Sequence, residues 1–476
     1  MLRRMKESKK QMKRAEQAEC LENDALFKEE VPVWYGRDGE VRAEWLSICE
    51  EERNQTSRLL EQVARLDNLQ RAYKAVKSNG GSSGIDGVSI GDFGKWFKIH
   101  YASYQSQILT GTYVPQAVKG VKIRKPQGGY RQLGIPTIRD RVLHQAINQV
   151  LQPYYDPKFT DSSYGFRPQR STHQALKAAC QLVKDGKTKV VDIDLSKFFD
   201  EVNHQRLMWL LGTRIGDKGL LRLIRQILKT GILEGGVVSQ GEKGTPQGSP
   251  LSPLLSNIVL DELDQELTRR GLSFVRYADD VKIFTRSWAS ANRIMLSLTD
   301  FIEGRMRLKV NREKSGVRRC YEVTFLGHSL QYGGKLGLSK TSESRLKAKL
   351  KELTQRNRGI KFDEILNEIR EVLQGWLQYY RYAAMKTKLQ KIEGWLRRRL
   401  KCFRLKQCKR AIGIVRFLSS LGVEKTLCWR TALSGKGWWR KSNSPAIAIG
   451  MNNLWFAKQG FYSLTENYEK LHRKSL

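Results

Sequence analysis

The 476-residue chain has no uninterrupted apolar run close to the ~18 residues needed to cross a bilayer. Its opening stretch, MLRRMKESKKQMKRAEQAEC, is basic with no apolar segment behind it, so it does not read as a secretory leader. Cysteine is sparse and odd in number: Cys20, Cys49, Cys180, Cys320, Cys402, Cys408 and Cys428. No C-x-x-C pair occurs among them, which argues against a zinc ribbon or a disulfide framework and leaves small reduced core residues. Proline is low at 11 and glycine stands at 40, so a collagen-like or proline-rich architecture is excluded. The clearest deficit is in acids, with 48 Asp+Glu against 85 Lys+Arg, a formal charge of +37. An excess of that size calls for a polyanion, either nucleic acid or an anionic membrane surface. Apolar residues at 40% and charged residues at 28% fit a globular, cytoplasmic protein of roughly two to four domains.

Residues 1–57 are dense in mixed charge and read as a solvated helical extension. From 58 to 77 apolar residues recur at helical spacing, up to the loop cluster NGGSSGIDG at 79–87. Residues 105–340 then alternate strand-like and helix-like runs. VKIRKPQGGYRQLGIP (121–136) predicts a hairpin turning at Gly128-Gly129, and 140–155 an amphipathic helix. KVVDIDL (189–195) is a short β-branched strand. Ser252 followed by Pro253 predicts a capped helix over 252–267. FVRYADDVKIF (274–284) predicts two strands about a tight turn, and VTFLGHSL (323–330) one more strand. From about 341 the strand signals fade into basic helices. Residues 381–410 hold twelve Lys/Arg and a single acid, Glu393, interleaved with aromatics. The pattern is α+β followed by an all-α region.

The sharpest local feature is Asp279-Asp280, set between the apolar residues Phe274, Val275, Val281, Ile283 and Phe284. Adjacent acids at the tip of an apolar hairpin repel one another, and a divalent cation shared with a third acid removes that cost. The competing reading is an ordinary Asp-containing turn. Asp192 and Asp194 lie two apart on a strand, hence on one face, and periodicity alone does not choose between them. Three such carboxylates leave positions for water and phosphate, as Mg²⁺ prefers. Two ions about 4 Å apart can activate an attacking 3′-hydroxyl and stabilise a leaving pyrophosphate.

FVRYADD, KVVDIDLSKFFDEVNH and GTPQGSPLSPLLSNIVLDELD resemble the palm motifs of reverse transcriptases, and most closely those of bacterial group II intron reverse transcriptase/maturases. RQLGIPTIRDRVLHQAINQVLQPYYDPKF and SSYGFRPQRSTHQAL resemble that family's fingers and palm blocks. The likeness runs from about residue 58 to the C-terminus. It implies a right-hand polymerase with fingers and palm over 58–340, a thumb/maturase domain over 341–430, and a small basic DNA-binding region over 431–476.

By position, the resemblance makes Asp194, Asp279 and Asp280 the catalytic acids and the ligands of two Mg²⁺ ions, with Asp192 a neighbour. It places Phe199 against the sugar 2′ position of the incoming dNTP. Lys125 and Arg131 then hold the triphosphate, and Gln247 and Gly248 complete the nucleotide site. The family's usual Arg-Pro-Leu-Gly-Ile-Pro is here Arg131-Gln132-Leu133-Gly134-Ile135-Pro136, a change that removes no charge. Arg167 falls in a template-contact block, and Lys314 and Gly327 in motifs near the primer. Arg381 and the basic run containing Arg397, Arg398 and Arg399 read as RNA contacts, while Trp376 reads as inter-helix core.

Relatives often carry an endonuclease after the tail. Here the tail brings only His472 and no cysteine, so no endonuclease domain is expected. The implied function is RNA-directed DNA synthesis joined to maturase action. The partners are a group II intron RNA, an RNA template with a DNA primer, target DNA and dNTPs, with no membrane partner. The rivals are a stand-alone retron-like or defence-associated reverse transcriptase and a non-enzymatic RNA-binding splicing factor. The maturase-like segment argues against the first, and the intact acids against the second.

Overall fold

A computed structural model describes residues 39–124, 128–234, 237–239, 243–244 and 248–473. Lys125 and Gln247 therefore lie outside the described residues, as do residues 1–38 of the charged extension. The chain divides into two compact units. The first takes the described residues up to Ala178 together with Lys189–Arg318, and the second Ala179–Thr188 and the residues from Arg319 onward.

In the first unit the extension continues as a helix over Gly39–Gln55. Its end is docked rather than solvated. The Thr56 hydroxyl donates to the Arg214 carbonyl (2.8 Å) and accepts from the Gly216 N–H (3.0 Å). The helix expected over 58–77 breaks at Arg65, whose ψ of 139° is extended, and resumes as α1 (Leu66–Asn79). Helix α2 (Ile90–Leu109) follows.

The hairpin forms as expected. Strands β1 (Val118–Arg124) and β2 (Tyr130–Ile135) pair antiparallel with Ile123 opposite Arg131. Gly128 and Gly129 take φ of 94° and 77°, values that side-chain-bearing residues rarely adopt. Strands β4 (Ile232–Glu234) and β5 (Val237–Ser239) complete a sheet of order β2-β1-β4-β5. Helix α3 (Ile138–Tyr155) is capped by Thr137, whose hydroxyl accepts from the Asp140 N–H.

The central sheet has the order β6-β7-β3-β8, with β3 Lys189–Asp194, β6 Ser273–Tyr277, β7 Asp280–Thr285 and β8 Gly316–Arg319. Its inner strands alternate as period two demands. Val191, Ile193, Val281 and Ile283 enter the core. Beneath it, helix α4 (Ser252–Arg269) buries Leu254, Leu255, Ile258, Leu263 and Leu267. Ser252 is not its cap. The helix starts at Ser252 itself, and the Ser249 hydroxyl instead accepts from the Leu251 N–H (3.2 Å).

In the second unit the single strand expected over 323–330 is a tight hairpin. Strands β9 (Thr324–Phe325) and β10 (His328–Gln331) are joined by Leu326 and Gly327 at φ 48° and 76°. Two successive left-handed residues make the turn that a two-residue hairpin requires. Strand β11 (Lys335–Leu338) and the short β12 (Ala383–Ala384) extend this sheet. Helices α5 (Lys340–Leu353), α6 (Phe362–Tyr380) and α7 (Lys386–Gln407) carry the rest. Ile365, Ile369, Leu373 and Leu377, one turn apart, meet Leu389, Ile392, Leu396 and Leu400 in a separate core. Trp376 packs against that core, its ring 4.7 Å from Tyr380, as inter-helix packing requires.

Candidate active site

Strand register assembles the acids. Asp194 at the end of β3 stands directly opposite Asp280 at the start of β7, and Asp192 opposite Lys282. All four share the face turned away from the core, because their neighbours alternate into it. Tyr277 pairs with Asp280, so Ala278 and Asp279 form a two-residue turn, with Ala278 left-handed at φ 57°. Asp279 is thereby carried at the hairpin tip beside Asp280.

Positive charge sits on these acids. Lys282 is buried and its ammonium bonds both Asp280 and Asp192. Arg318 Nη1 donates to the other Asp192 oxygen at 2.7 Å. Asp192 is thus paired with two cations. Lys314 Nζ lies 3.7 Å from Asp194 Oδ2. Burial pushes the Asp280 carboxyl up, and Lys282 pulls it partly back. Burial also works against the Lys282 ammonium, but Asp280 and Asp192 outweigh it and hold the group above its ordinary value. Among the described residues no three metal-ligating side chains meet closely enough to enclose an ion as they stand. The donor set nevertheless fits a hard divalent cation. It offers carboxylate oxygens only, and two of the acids already draw an ammonium towards them.

The Asp194 backbone is fixed on both sides. Its N–H donates to Ser315 Oγ (2.9 Å), and its carbonyl accepts from the Asn311 N–H (2.9 Å). The turn carrying Asp279 is held from below by residues the sequence did not single out. Arg276, wholly buried, forms a two-pronged pair with the equally buried Asp264 (2.8 and 2.6 Å). Its remaining nitrogen donates to the Ala278 carbonyl (3.0 Å) and to Asn257 Oδ1 (2.9 Å). Asn257 in turn donates to the Gly165 carbonyl (2.9 Å). A Cβ on Gly165 would lie 2.2 Å from the Ala278 nitrogen, so only glycine lets segment 162–165 lie under the turn. An arginine and a lysine inside otherwise apolar strands were the available signal.

The other expected site residues fall in varied settings. Phe199, five residues after Asp194, is partly buried and meets Phe198 edge-on at 5.4 Å. Arg131 lies exposed on β2. Gly248 makes its close approach to protein: a Cβ there would sit 2.4 Å from the Gly134 carbonyl of β2. Arg167 is buried, donating to Asp156 Oδ1 (2.8 Å) and to the carbonyls of Asp156, Thr160 and Ser163 (2.8, 2.7 and 3.0 Å). It organises its own loop and presents no open guanidinium. Gly327 packs under Tyr380 and Ser342 in the second unit.

The basic run is also internally engaged. Arg381 donates to the Tyr382 hydroxyl (2.9 Å). Arg397 pairs with Glu393. Arg398 stacks 4.0 Å over Trp439, and Arg399 donates to Thr354 Oγ1 (2.5 Å). Among the described residues no helix is long and apolar enough to cross a membrane.

The sequence matches two family models, "Reverse transcriptase (RNA-dependent DNA polymerase)" over residues 123–330 and "Group II intron, maturase-specific domain" over 344–417. It is 32% identical over 314 residues to Protein YkfC of Escherichia coli (strain K12), a match covering 57% of this chain and 82% of that protein. It is 37% identical over 222 residues to the group II intron-encoded protein LtrA of Lactococcus lactis subsp. cremoris, covering 46% of this chain and 37% of LtrA.

The chain belongs to the group II intron-encoded reverse transcriptase/maturase family. Its first matched region is an RNA-directed DNA polymerase domain, and such domains use divalent metals. Within that frame the paired acids of β7 and its turn, facing Asp194, form the reverse transcriptase's candidate catalytic centre. The α+β unit followed by helices is the expected polymerase and maturase order. The chain covers 37% of LtrA's length, so what LtrA does as a whole is not transferred by the match.

Proposed function

We propose that the protein copies its own group II intron RNA into DNA and assists the splicing of that RNA, for retrohoming by target-primed reverse transcription. The observation that carries this reading is the register placing Asp194 opposite Asp280, beside the Asp279 turn, in a chain that also carries a maturase-specific domain. Asp194, Asp279 and Asp280 are the residues that would hold two Mg²⁺ ions. When bound, those ions supply the charge that activates a primer 3′-hydroxyl and offsets the leaving pyrophosphate.

The chain's own residues do the rest. Ser315 and Asn311 fix Asp194, and Arg276 fixes the Asp279 turn. Lys125 and Arg131 hold the triphosphate, with bidentate recognition open to the arginine. The Phe199 ring excludes a 2′-hydroxyl, and Gln247 and Gly248 border the nucleotide. Lys314, beside Asp194, contacts the primer end, with Gly327 positioned in the second unit. Arg167 acts on the template by shaping its loop, and Arg381, Arg397, Arg398 and Arg399 shape the RNA-binding helices. The partners are the intron RNA, an RNA template with a DNA primer, target DNA and dNTPs, met in a bacterial cytoplasm.

The test is primer extension on a DNA-primed RNA template with dNTPs and MgCl₂. Asp279→Ala should abolish extension while changing RNA affinity by less than about twofold, since phosphate contacts come from cations. Extension retained by that variant overturns the assignment.

A further inference from the structure

The second unit contains a cavity of about 510 Å³ that the polymerase reading does not use. It lies between the end of α5 with the loop after it, the C-terminal half of α7, and the short helix Trp438–Lys441. Four cations line it, Lys351, Arg356, Arg399 and Lys406, together with Trp438 and Trp439, and no acid does. Four like charges around one hollow are unfavourable unless an anion enters. Arg399 records the strain: burial, and with it the neighbouring Arg356, draws its guanidinium below the ordinary value.

The cavity is a built one. Arg399 is clamped by Thr354 Oγ1 (2.5 Å) and the Lys351 carbonyl (3.1 Å), so its charge is held at the wall. Trp439 is held by Arg398, which stacks 4.0 Å over its ring and donates to its carbonyl (2.9 Å). With one face of the indole against that guanidinium, 42% of Trp439 remains exposed. One guanidinium fixed at the wall and three exposed cations, next to flat, partly open indoles, match the two halves of a nucleotide: a phosphate and a stacking base. The volume lies within the range of ligand pockets, about 300–1,000 Å³. An acidic peptide would satisfy the cations and leave the indoles unused.

We infer that this cavity takes one unpaired nucleotide of a single-stranded nucleic acid, its base on Trp439 and its phosphate among Arg356, Lys351, Lys406 and Arg399. The inference rests on the nucleic-acid reading above and adds a defined subsite to it. The nucleotide can come from intron RNA or from opened target DNA, and the chemistry is shared.

The experiment uses the full chain and oligonucleotides carrying one 2-aminopurine in an unpaired bulge, as RNA and as DNA of the same sequence. Stacking on an indole should quench the probe on binding. Trp439→Ala should remove that quench and weaken binding about tenfold, the size of one base–aromatic stack, while Trp439→Phe should retain most of both. Arg356→Ala should lower the slope of log affinity against log salt by about 0.7, one single-strand phosphate contact. Thermal melting of each variant by circular dichroism reads folding separately. A stronger quench with the RNA probe assigns the nucleotide to the intron, and a stronger quench with the DNA probe to the target; both support the inference. An unchanged quench in a folded Trp439→Ala protein overturns it. Displacement of the probe by a glutamate-rich peptide more readily than by unlabelled oligonucleotide overturns it in favour of an acidic protein partner. Wild-type primer extension is measured alongside. Its absence would sink the polymerase reading and leave the quench result standing, so the two failures are told apart.

Discussion

His144 shows how one side chain can couple stability to the loop at Gly248. It is buried on α3, and its Nδ1 lies 2.9 Å from Ser249 Oγ, one residue past Gly248. That oxygen also accepts from the Leu251 N–H. Which member of the Ser249–His144 pair donates follows the imidazole tautomer, and the other ring nitrogen is Nε2. That nitrogen is buried with no partner among the described residues. Burial pushes the imidazole down to about 4 from an ordinary 6.5. A depressed histidine stabilises the fold fully above pH 6.5, and that contribution is lost as pH falls through about 4, because the unfolded chain takes the proton first. Across that window the loss is at most about 3 kcal/mol. Urea unfolding at pH 6.5 and 4.5 should show a smaller decline for His144→Gln than for the wild type. Equal declines would mean that His144 does not carry the dependence.

At the scale of elements, the β6–β7 hairpin that carries the candidate catalytic acids rests on a buried ion pair. Burial raises the Asp264 carboxyl, and Arg276 opposes that shift. Removing one member strands the other's charge in the core, which costs about 3–5 kcal/mol. Asp264→Ala should lower unfolding stability by that amount, and primer extension should fall further than the folded fraction, since Arg276 no longer holds the Ala278 carbonyl. Asp264→Asn, which keeps a hydrogen-bond acceptor, should recover part of both. A variant that loses stability yet extends primers in proportion to its folded fraction would confine the pair to a packing role.

At the scale of the whole molecule, a charge of +37 means that nucleic-acid binding is driven largely by counterion release. Log affinity for structured RNA should fall linearly with log salt, losing on the order of 10³ between 50 and 200 mM if six or more phosphates are neutralised. Filter binding across that range reads the slope. A flat dependence would show that the excess charge serves something other than phosphates. The internal pairing of Arg167, Arg397 and Arg398 shifts the expected phosphate contacts to more exposed cations such as Lys406 and Arg356.

Several features were legible in the linear chain because they depend on local physics. The alternation of KVVDID and DVKIF placed two strands and the shared face of Asp192 and Asp194. Adjacent glycines placed the 128–129 turn. The charge imbalance alone called for a polyanion. Choosing Asp194 over Asp192 needed family resemblance, because period two treats both alike. Only the tertiary structure showed that Lys282 and Arg318 occupy Asp192, that Arg167 turns inward, and that Gly165 lies under the Asp279 turn. Arg167's partners lie within its own loop, while the other contacts join segments many tens of residues apart. Local periodicity determines which face a side chain occupies, while the partner waiting on that face is decided by how distant segments pack.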